Sequence, residues 1–146
     1  MYYTEQELLD CITTTTDKLN SLPDEFRRGV NDCYVLFLEY NKALRKTEDV
    51  YSPVTEEYNS TKEWFKKLRQ SGHTVRSYAE LLGFETVVNK RPKVGDVAFW
   101  QGSVLIAGEK FWITTDEKSS VGIERVVNNK QVMFLERHMQ IFRPRK

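Results

Sequence analysis

The sequence predicts an α+β fold in which helices occupy residues 1–83 and an antiparallel β-sheet occupies residues 84–146. In the first part, apolar residues recur at spacings of three and four and follow residues that commonly cap helices. From Phe84 onward the period shortens to two, and glycine or asparagine turns separate short segments. A length of 146 residues supports one hydrophobic core, so we expect a single domain over residues 1–146.

The first predicted helix runs from Glu5 to Leu19. Thr4 and Glu7 have the spacing of a capping box, in which a hydroxyl and a carboxylate each accept a hydrogen bond from the other residue's backbone N–H. The four consecutive threonines of residues 13–16 lower the helix propensity of its C-terminal half, because β-branched side chains lose rotamer freedom in a helix.

The second predicted helix begins after a break at Pro23-Asp24 and a turn at Gly29. Asn31 or Asp32 caps it, since both side chains accept hydrogen bonds from free N–H groups at a helix start. Cys33 then lies in the first turn. The apolar face has members at spacings of three and four, namely Cys33, Leu36, Phe37, Tyr40 and Leu44.

Two shorter helices follow a polar loop over residues 47–59, which has room for one helical turn. Ser60 and Glu63 have capping-box spacing before a helix that ends at Gly72. Ser77 and Glu80 repeat that spacing within a segment from Val75 to Leu82.

The remainder predicts a curled antiparallel meander, because the connections between alternating segments are short. Turn residues that tolerate positive φ separate them. The candidate strands are Phe84–Val88, Asp96–Gln101, Ser103–Ala107, Lys110–Thr115, Val121–Val127, Gln131–Glu136 and Met139–Arg143.

The charge composition gives no indication of a nucleic-acid partner. The formal net charge is +1, from 22 basic and 21 acidic residues, so no global field favours nucleic acid as a partner. A basic cluster near the C-terminus reads as a solvated strand end and tail; it comprises Arg137, His138, Arg143, Arg145 and Lys146.

The expected compartment is the cytoplasm, at least on synthesis. Cys11 and Cys33 both lie in predicted helices, which is a poor pattern for a disulfide, and residues 1–7 lack the basic start and apolar stretch of a signal peptide. No window reaches the length of a membrane span. Neither cysteine has partners at metal-ligand spacing, and no motif indicates a cofactor.

Cys33 is the residue best placed for chemistry. A thiol in the first turn of a helix faces the positive end of the helix dipole, which can lower its pKa and supply a thiolate. Cysteine catalysis also needs a base, usually histidine, and a polar group that orients it. The alternative is that Cys33 is a small apolar residue packed where a helix meets the sheet.

Two sequence elements carry a resemblance to a known family. Asp32-Cys33 opens a helix, and Pro92-Lys93-Val94-Gly95-Asp96 leads into a predicted strand. In this respect residues 29–127 resemble the cell-wall peptidases of the NlpC type, which belong to the papain-like class of cysteine hydrolases. The resemblance implies a papain-like NlpC-type architecture, with helices packed on a C-terminal sheet.

The layout is also similar to a phage-encoded, tail-associated family with an NlpC-like fold, whose members often lack the catalytic histidine. The shared features are the Asp-Cys helix, a tract like Trp64–Leu68 near Gly72, a segment like Tyr78–Gly83, and the Gly-Asp-Val strand. This similarity implies a tail-associated role.

Carried over residue by residue, the resemblance places the nucleophile at Cys33, the histidine position at Ser103 and the third polar group near Thr114. Serine cannot act as a base near pH 7, so the triad is degenerate and absence of catalysis is favoured. His138 is then the remaining candidate base, and His73 reads as a loop residue.

The adjacent aromatic pairs Phe99-Trp100 and Phe111-Trp112 are candidate interface residues. Neighbouring residues on a strand point to opposite faces, so one member of each pair is expected to be exposed or covered by a partner.

Three functions follow, in order of preference. The first is a phage tail, virion or tail-assembly protein whose NlpC-like domain is inactive and binds protein. The second is an active cysteine hydrolase, a peptidoglycan peptidase or acyltransferase, that uses Cys33. The third is a small phage effector that binds a host protein or nucleic acid through its basic C-terminal strand.

Overall fold

The computed structural model describes residues 1–21, 28–29, 32–88, 91–100, 102–115, 124–126 and 139–146. It confirms the α+β class. The elements are α1 (Glu5–Asn20), α2 (Cys33–Arg45), α3 (Thr61–Gln70), α4 (Val75–Leu81), β1 (Phe84–Thr86), β2 (Val97–Trp100), β3 (Ser103–Ala107), β4 (Trp112–Thr114), β5 (Glu124–Val126) and β6 (Gln140–Pro144).

The six strands form one antiparallel sheet in the order β1-β6-β2-β3-β4-β5. Strands β2 to β5 are a meander, as predicted, but β6 is inserted between β1 and β2. Val97 of β2 is therefore flanked by Ile106 of β3 and Phe142 of β6. The predicted strand Gln131–Glu136 lies outside the described residues.

Helix α1 begins at the predicted capping box and extends through the threonine run. The Thr4 hydroxyl accepts a hydrogen bond from the Glu7 N–H, and the Glu7 carboxylate accepts one from the Thr4 N–H, each at 3.1 Å. The hydroxyl of Thr15 donates to the Cys11 carbonyl at 2.8 Å. Thr14 makes the equivalent bond to Asp10. The threonines thus use the carbonyls of the preceding turn as partners, and the helix continues to Asn20.

The predicted caps of the next three helices are confirmed in two cases and corrected in one. Asp32 caps α2 and Ser60 caps α3. The predicted Ser60–Glu63 box is present only in part, because the Glu63 carboxylate accepts the N–H of Asn59 and not that of Ser60. Helix α4 is capped by Thr74, and Ser77 is the third residue of that box, so the predicted box of Ser77 with Glu80 is wrong. The polar loop of residues 47–59 contains no helical turn.

Both faces of the sheet are buried. The helices pack on one face, where the core includes Val97, Phe99, Val104 and Ile106. The opposite face has its own buried cluster, whose members are Val87, Ala98, Leu105, Ala107, Trp112, Met139 and Ile141.

An ion pair joins the entry of β2 to β6. Asp96, which is fully buried, accepts hydrogen bonds from Arg143 Nε at 3.0 Å and Nη2 at 2.9 Å, and from the Lys93 N–H at 2.8 Å. Burial raises the pKa of the Asp96 carboxyl, and the Arg143 guanidinium opposes part of that shift. Arg143 is thus bound to Asp96 within the fold, so reading it as part of a solvated basic cluster is wrong.

Arg45, at the end of α2, connects the two chain ends to the α4–β1 turn. Its guanidinium donates to the Tyr3 hydroxyl at 3.1 Å, the Arg145 carbonyl at 2.5 Å and the Leu82 carbonyl at 2.7 Å. These contacts give Arg45 a tertiary role in the fold.

Candidate functional site

Cys33 lies in the first turn of α2, where that helix meets β3. Its side chain is 8% exposed and belongs to the core cluster between the helices and the sheet. The backbone N–H of Val104 donates a hydrogen bond to the thiol. The position predicted from sequence is therefore correct, and the environment is a packed interior.

The carboxylate of Asp32 occupies the positive end of α2. Its Oδ1 accepts the N–H groups of Tyr34 at 3.1 Å and Val35 at 3.0 Å. Its Oδ2 accepts the Gly29 N–H at 2.8 Å and the Tyr58 hydroxyl. A full negative charge directly before Cys33 counteracts the stabilisation that the helix dipole would offer a thiolate.

Burial is the main influence on the ionisation of Cys33. It raises the pKa of the thiol from an ordinary 9.0 to about 12, and the Asp32 charge adds to this shift. The Val104 N–H and the N–H of Cys33 itself oppose it without reversing it. The thiol is protonated at neutral pH, whereas the nucleophile in cysteine catalysis is the thiolate.

The positions that correspond to the histidine and the third polar group, Ser103 and Thr114, do not supply a base for the thiol. Ser103 shares its strand face with Leu105 and Ala107, which lie in the cluster on the side of the sheet away from Cys33. Val104 faces the helices instead. Thr114 is buried, and its hydroxyl donates to the Val104 carbonyl at 2.7 Å, a structural bond between β3 and β4.

Of the two histidines, the structure describes His73. Its Nε2 lies 3.5 Å from the Tyr51 hydroxyl, and its Nδ1 lies 3.3 Å from the hydroxyl of Ser77. These contacts place it in the α3–α4 turn, in agreement with its reading as a loop residue. His138, the candidate base, lies outside the described residues.

Of the four aromatic residues expected at an interface, two are buried and two are half-buried. Phe99 is 5% exposed in the helix-facing core, and Trp112 is 3% exposed in the cluster on the other face. Both are therefore buried within the chain and corrected as interface candidates. Trp100 and Phe111 are half-buried. One member of each adjacent pair therefore keeps exposed surface, as expected for neighbouring residues that point to opposite faces.

An aromatic group that was not predicted from the sequence lies beside Asp32. Tyr34 stacks on Trp64 with ring centroids 3.8 Å apart and an interplanar angle of 7°, and Tyr58 meets Tyr34 edge-on at 6.0 Å. The Tyr34 hydroxyl donates to the Gly102 carbonyl at 2.6 Å. One sequence signal could have revealed Tyr58: it is a tyrosine in a largely polar loop, and burial of its ring favours packing of that loop against the core.

Comparisons of the chain with protein-family models, with curated proteins and with solved structures find no match. In the part of the chain that the structure describes, no three histidine, cysteine or acidic side chains gather at a position that could hold a metal ion. No described helix has both the length and the apolar character needed to cross a bilayer.

Proposed function

We propose that this chain is an NlpC-like domain that acts by binding protein without cysteine catalysis, in a phage tail, virion or tail-assembly setting. The absence of cysteine catalysis is supported by one observation. Cys33 is buried next to the Asp32 carboxylate, and the pKa of its thiol is raised to about 12. The phage setting is supported by the resemblance of the sequence to a tail-associated family.

The chemical argument concerns the fraction of thiolate. A pKa five units above neutrality leaves roughly one thiol in 10⁵ ionised at pH 7. Opening the interior to substrate would in addition separate Cys33 from the core packing of α2 on β3. An architecture shared with hydrolases can keep its fold and its surface while losing this chemistry.

Iodoacetamide labelling tests the state of Cys33. In a Cys11→Ser variant the only thiol is Cys33, and we expect native protein to label more slowly than the urea-unfolded chain at every pH from about 6 to 8. The matched Cys33→Ser variant reports Cys11, which is half-buried and serves as the control. Rapid labelling of native Cys33 near pH 6 would contradict the proposal.

The binding role is tested by recovery on assembled particles. We expect Cys33→Ala to copurify with purified tail components as efficiently as the unaltered chain, because the thiol takes no part in binding. Absence of the chain from every particle, together with no retention on immobilised tail proteins, would overturn the phage setting.

An active hydrolase remains the second candidate because one observation favours it: the thiol lies in the first turn of α2 and receives a hydrogen bond from the Val104 N–H. Turnover of peptidoglycan fragments that is lost in Cys33→Ala and kept in Cys11→Ser would establish that activity. No turnover in either variant or in the unaltered chain agrees with the proposed function.

A further inference from the structure

A groove of about 580 Å³ lies between α2 and the segment of residues 52–59. Its lining includes Tyr34, Val35 and Leu38 of α2, Val54 and Tyr58 of the facing segment, and Trp64 of α3. We call this the α2 groove. Cys33 is not among its lining residues, so it is distinct from the position where cysteine chemistry was expected.

The floor of the α2 groove is formed by packed aromatic side chains. Tyr34 and Trp64 are buried and stacked on each other, and the Tyr58 hydroxyl donates to the fully enclosed Asp32 carboxylate. Val35, Leu38 and Val54 are only half-buried, so apolar surface remains open along the two walls. The rest of the lining is largely polar, so the groove offers both kinds of contact. A preformed groove with a packed aromatic floor loses little entropy when a ligand binds.

The facing wall presents free backbone groups. Thr55, Glu56 and Glu57 belong to no helix or strand and make no backbone–backbone hydrogen bond within the described part of the chain. An extended polypeptide satisfies such groups by adding alongside them, while alternate side chains enter the apolar channel. A compact small molecule would leave most of these groups unused.

The charges at the rim of the α2 groove favour a partner with basic side chains. The charged side chains in the lining are Arg28, Glu56 and Glu57. Glu56 and Glu57 are exposed; Glu56 pairs with Lys67 at 2.7 Å, whereas Glu57 has no ion pair among the described residues. A basic side chain on the peptide would face Glu57 while its apolar neighbours face Leu38 and Val54. Electrostatic complementarity of this kind sets the register and selects the partner.

We propose that the α2 groove binds an extended polypeptide segment in which basic residues alternate with apolar ones. The proposal rests on the proposed binding function and adds to it the surface and the chemistry of the partner. Apolar side chains occupy the channel between Leu38 and Val54, and a lysine or arginine of the peptide pairs with Glu57.

The test uses a fluorescein-labelled, capped heptapeptide that alternates lysine with valine, and its binding to the full chain is measured by fluorescence anisotropy. Two further probes are a peptide with glutamate in place of lysine and a lysine peptide with alternate backbone amides methylated. We expect each to bind about tenfold more weakly or worse, the first by charge and the second by lost hydrogen bonds.

Variants locate the binding surface. Glu57→Lys should weaken the lysine peptide about tenfold, whereas Glu109→Lys makes the same charge change at an exposed turn between β3 and β4 and should have no effect. Leu38→Ala should weaken binding about fivefold by removing apolar contact. Thermal melts of all three variants should show that each remains folded.

Three results would overturn the proposal: equal affinity for the glutamate peptide, equal effects of Glu57→Lys and Glu109→Lys, or a dimer in sedimentation that Leu38→Ala abolishes. The last would assign the α2 groove to a second copy of the chain. If the lysine peptide fails to bind while the chain still copurifies with tail components, this inference falls and the proposed function stands. Rapid labelling of native Cys33 would instead remove the non-catalytic part of the proposed function and leave the binding of peptide to the α2 groove unaffected.

Discussion

The Tyr58 hydroxyl donates a hydrogen bond to the Asp32 carboxylate, which lies 26 residues earlier in the chain. This bond joins the polar loop of residues 47–59 to the first turn of α2. It also satisfies an oxygen of a carboxylate that is 1% exposed. One contact therefore stabilises the start of α2 and places one wall of the α2 groove.

Removing that hydroxyl should destabilise the fold. Tyr58→Phe leaves the Gly29 N–H as the remaining described partner of Asp32 Oδ2. We expect the free energy of unfolding to fall by about 2 kcal/mol, because hydrogen bonds to charged groups are stronger than those between neutral groups. Urea denaturation measures it. Tyr51→Phe is the control, since Tyr51 is 49% exposed and should change little. Equal effects of the two variants would show that the Asp32 contact carries no special weight.

The close approach of Gly102 to Thr61 gives a second prediction. Gly102 has φ +80°, and a Cβ at this position would collide with Thr61 Cγ2. Gly72 has φ +88° with nothing near the corresponding Cβ position. Gly72→Ala should therefore cost about 1 kcal/mol from backbone strain alone, and Gly102→Ala about 2–3 kcal/mol because the collision adds to that strain. Chemical denaturation that gives the same loss for both would exclude the steric contribution.

The Asp96–Arg143 pair should show strong energetic coupling. Arg143→Met leaves a buried carboxylate without its cation and should cost about 3–5 kcal/mol. The double variant Asp96→Asn, Arg143→Met should lose less than the sum of the single variants, which a double-mutant cycle in urea measures.

Arg145→Met is the control for that cycle, because the Arg145 side chain is 51% exposed and its contact with Glu85 is 3.8 Å long. It should cost less than about 1 kcal/mol. Additive losses for the Asp96 and Arg143 variants would mean that the two charges contribute to the free energy of unfolding independently, without energetic coupling.

Cys33 should make stability depend on alkaline pH. Its pKa is raised from 9.0 to about 12, so the folded protein keeps a proton that the unfolded chain releases. The stability that this provides is complete below about pH 9 and is lost as the pH rises toward 12, with a slope of up to about 1.4 kcal/mol per pH unit.

The clearest measurement compares Cys11→Ser with the double variant Cys11→Ser, Cys33→Ala by urea unfolding between about pH 9 and 10. The buried tyrosines, such as Tyr34 and Tyr78, also have raised pKa values, but their ordinary value is 10.0, so they act mainly above this window. We expect a steeper decline in the variant that retains Cys33. Parallel curves would indicate an ordinary, accessible thiol.

Helix starts were predictable from sequence where the capping signals pointed to one short stretch of the chain. The Thr4–Glu7 box fixes the start of α1 through two local hydrogen bonds, and Asp32 does the same for α2. At α4 two overlapping signals competed, because Ser77 can be the cap of one box or the third residue of another. Thr74 is the N-cap in the structure, so the helix starts directly after the α3–α4 turn.

Strand order and side-chain facing were not predictable in the same way. Nothing local indicates that β6 pairs with both β1 and β2, since that pairing depends on long-range contacts such as Thr86 with Phe142. The face taken by Ser103 depends on strand register, where a shift of one residue exchanges the two faces. The α2 groove depends on Tyr58 reaching Asp32, a contact between a loop and a helix start that no periodicity encodes.

The insertion of β6 between β1 and β2 has a consequence for synthesis. A nascent chain cannot close the middle of this sheet until residues 140–144 have left the ribosome, although all the helices and the β2–β3 hairpin are made earlier. Until then β1 and β2 each present an unpaired edge to other chains. The order of synthesis therefore differs from the order of the strands in the sheet, and the sheet is completed only once β6 is available to pair.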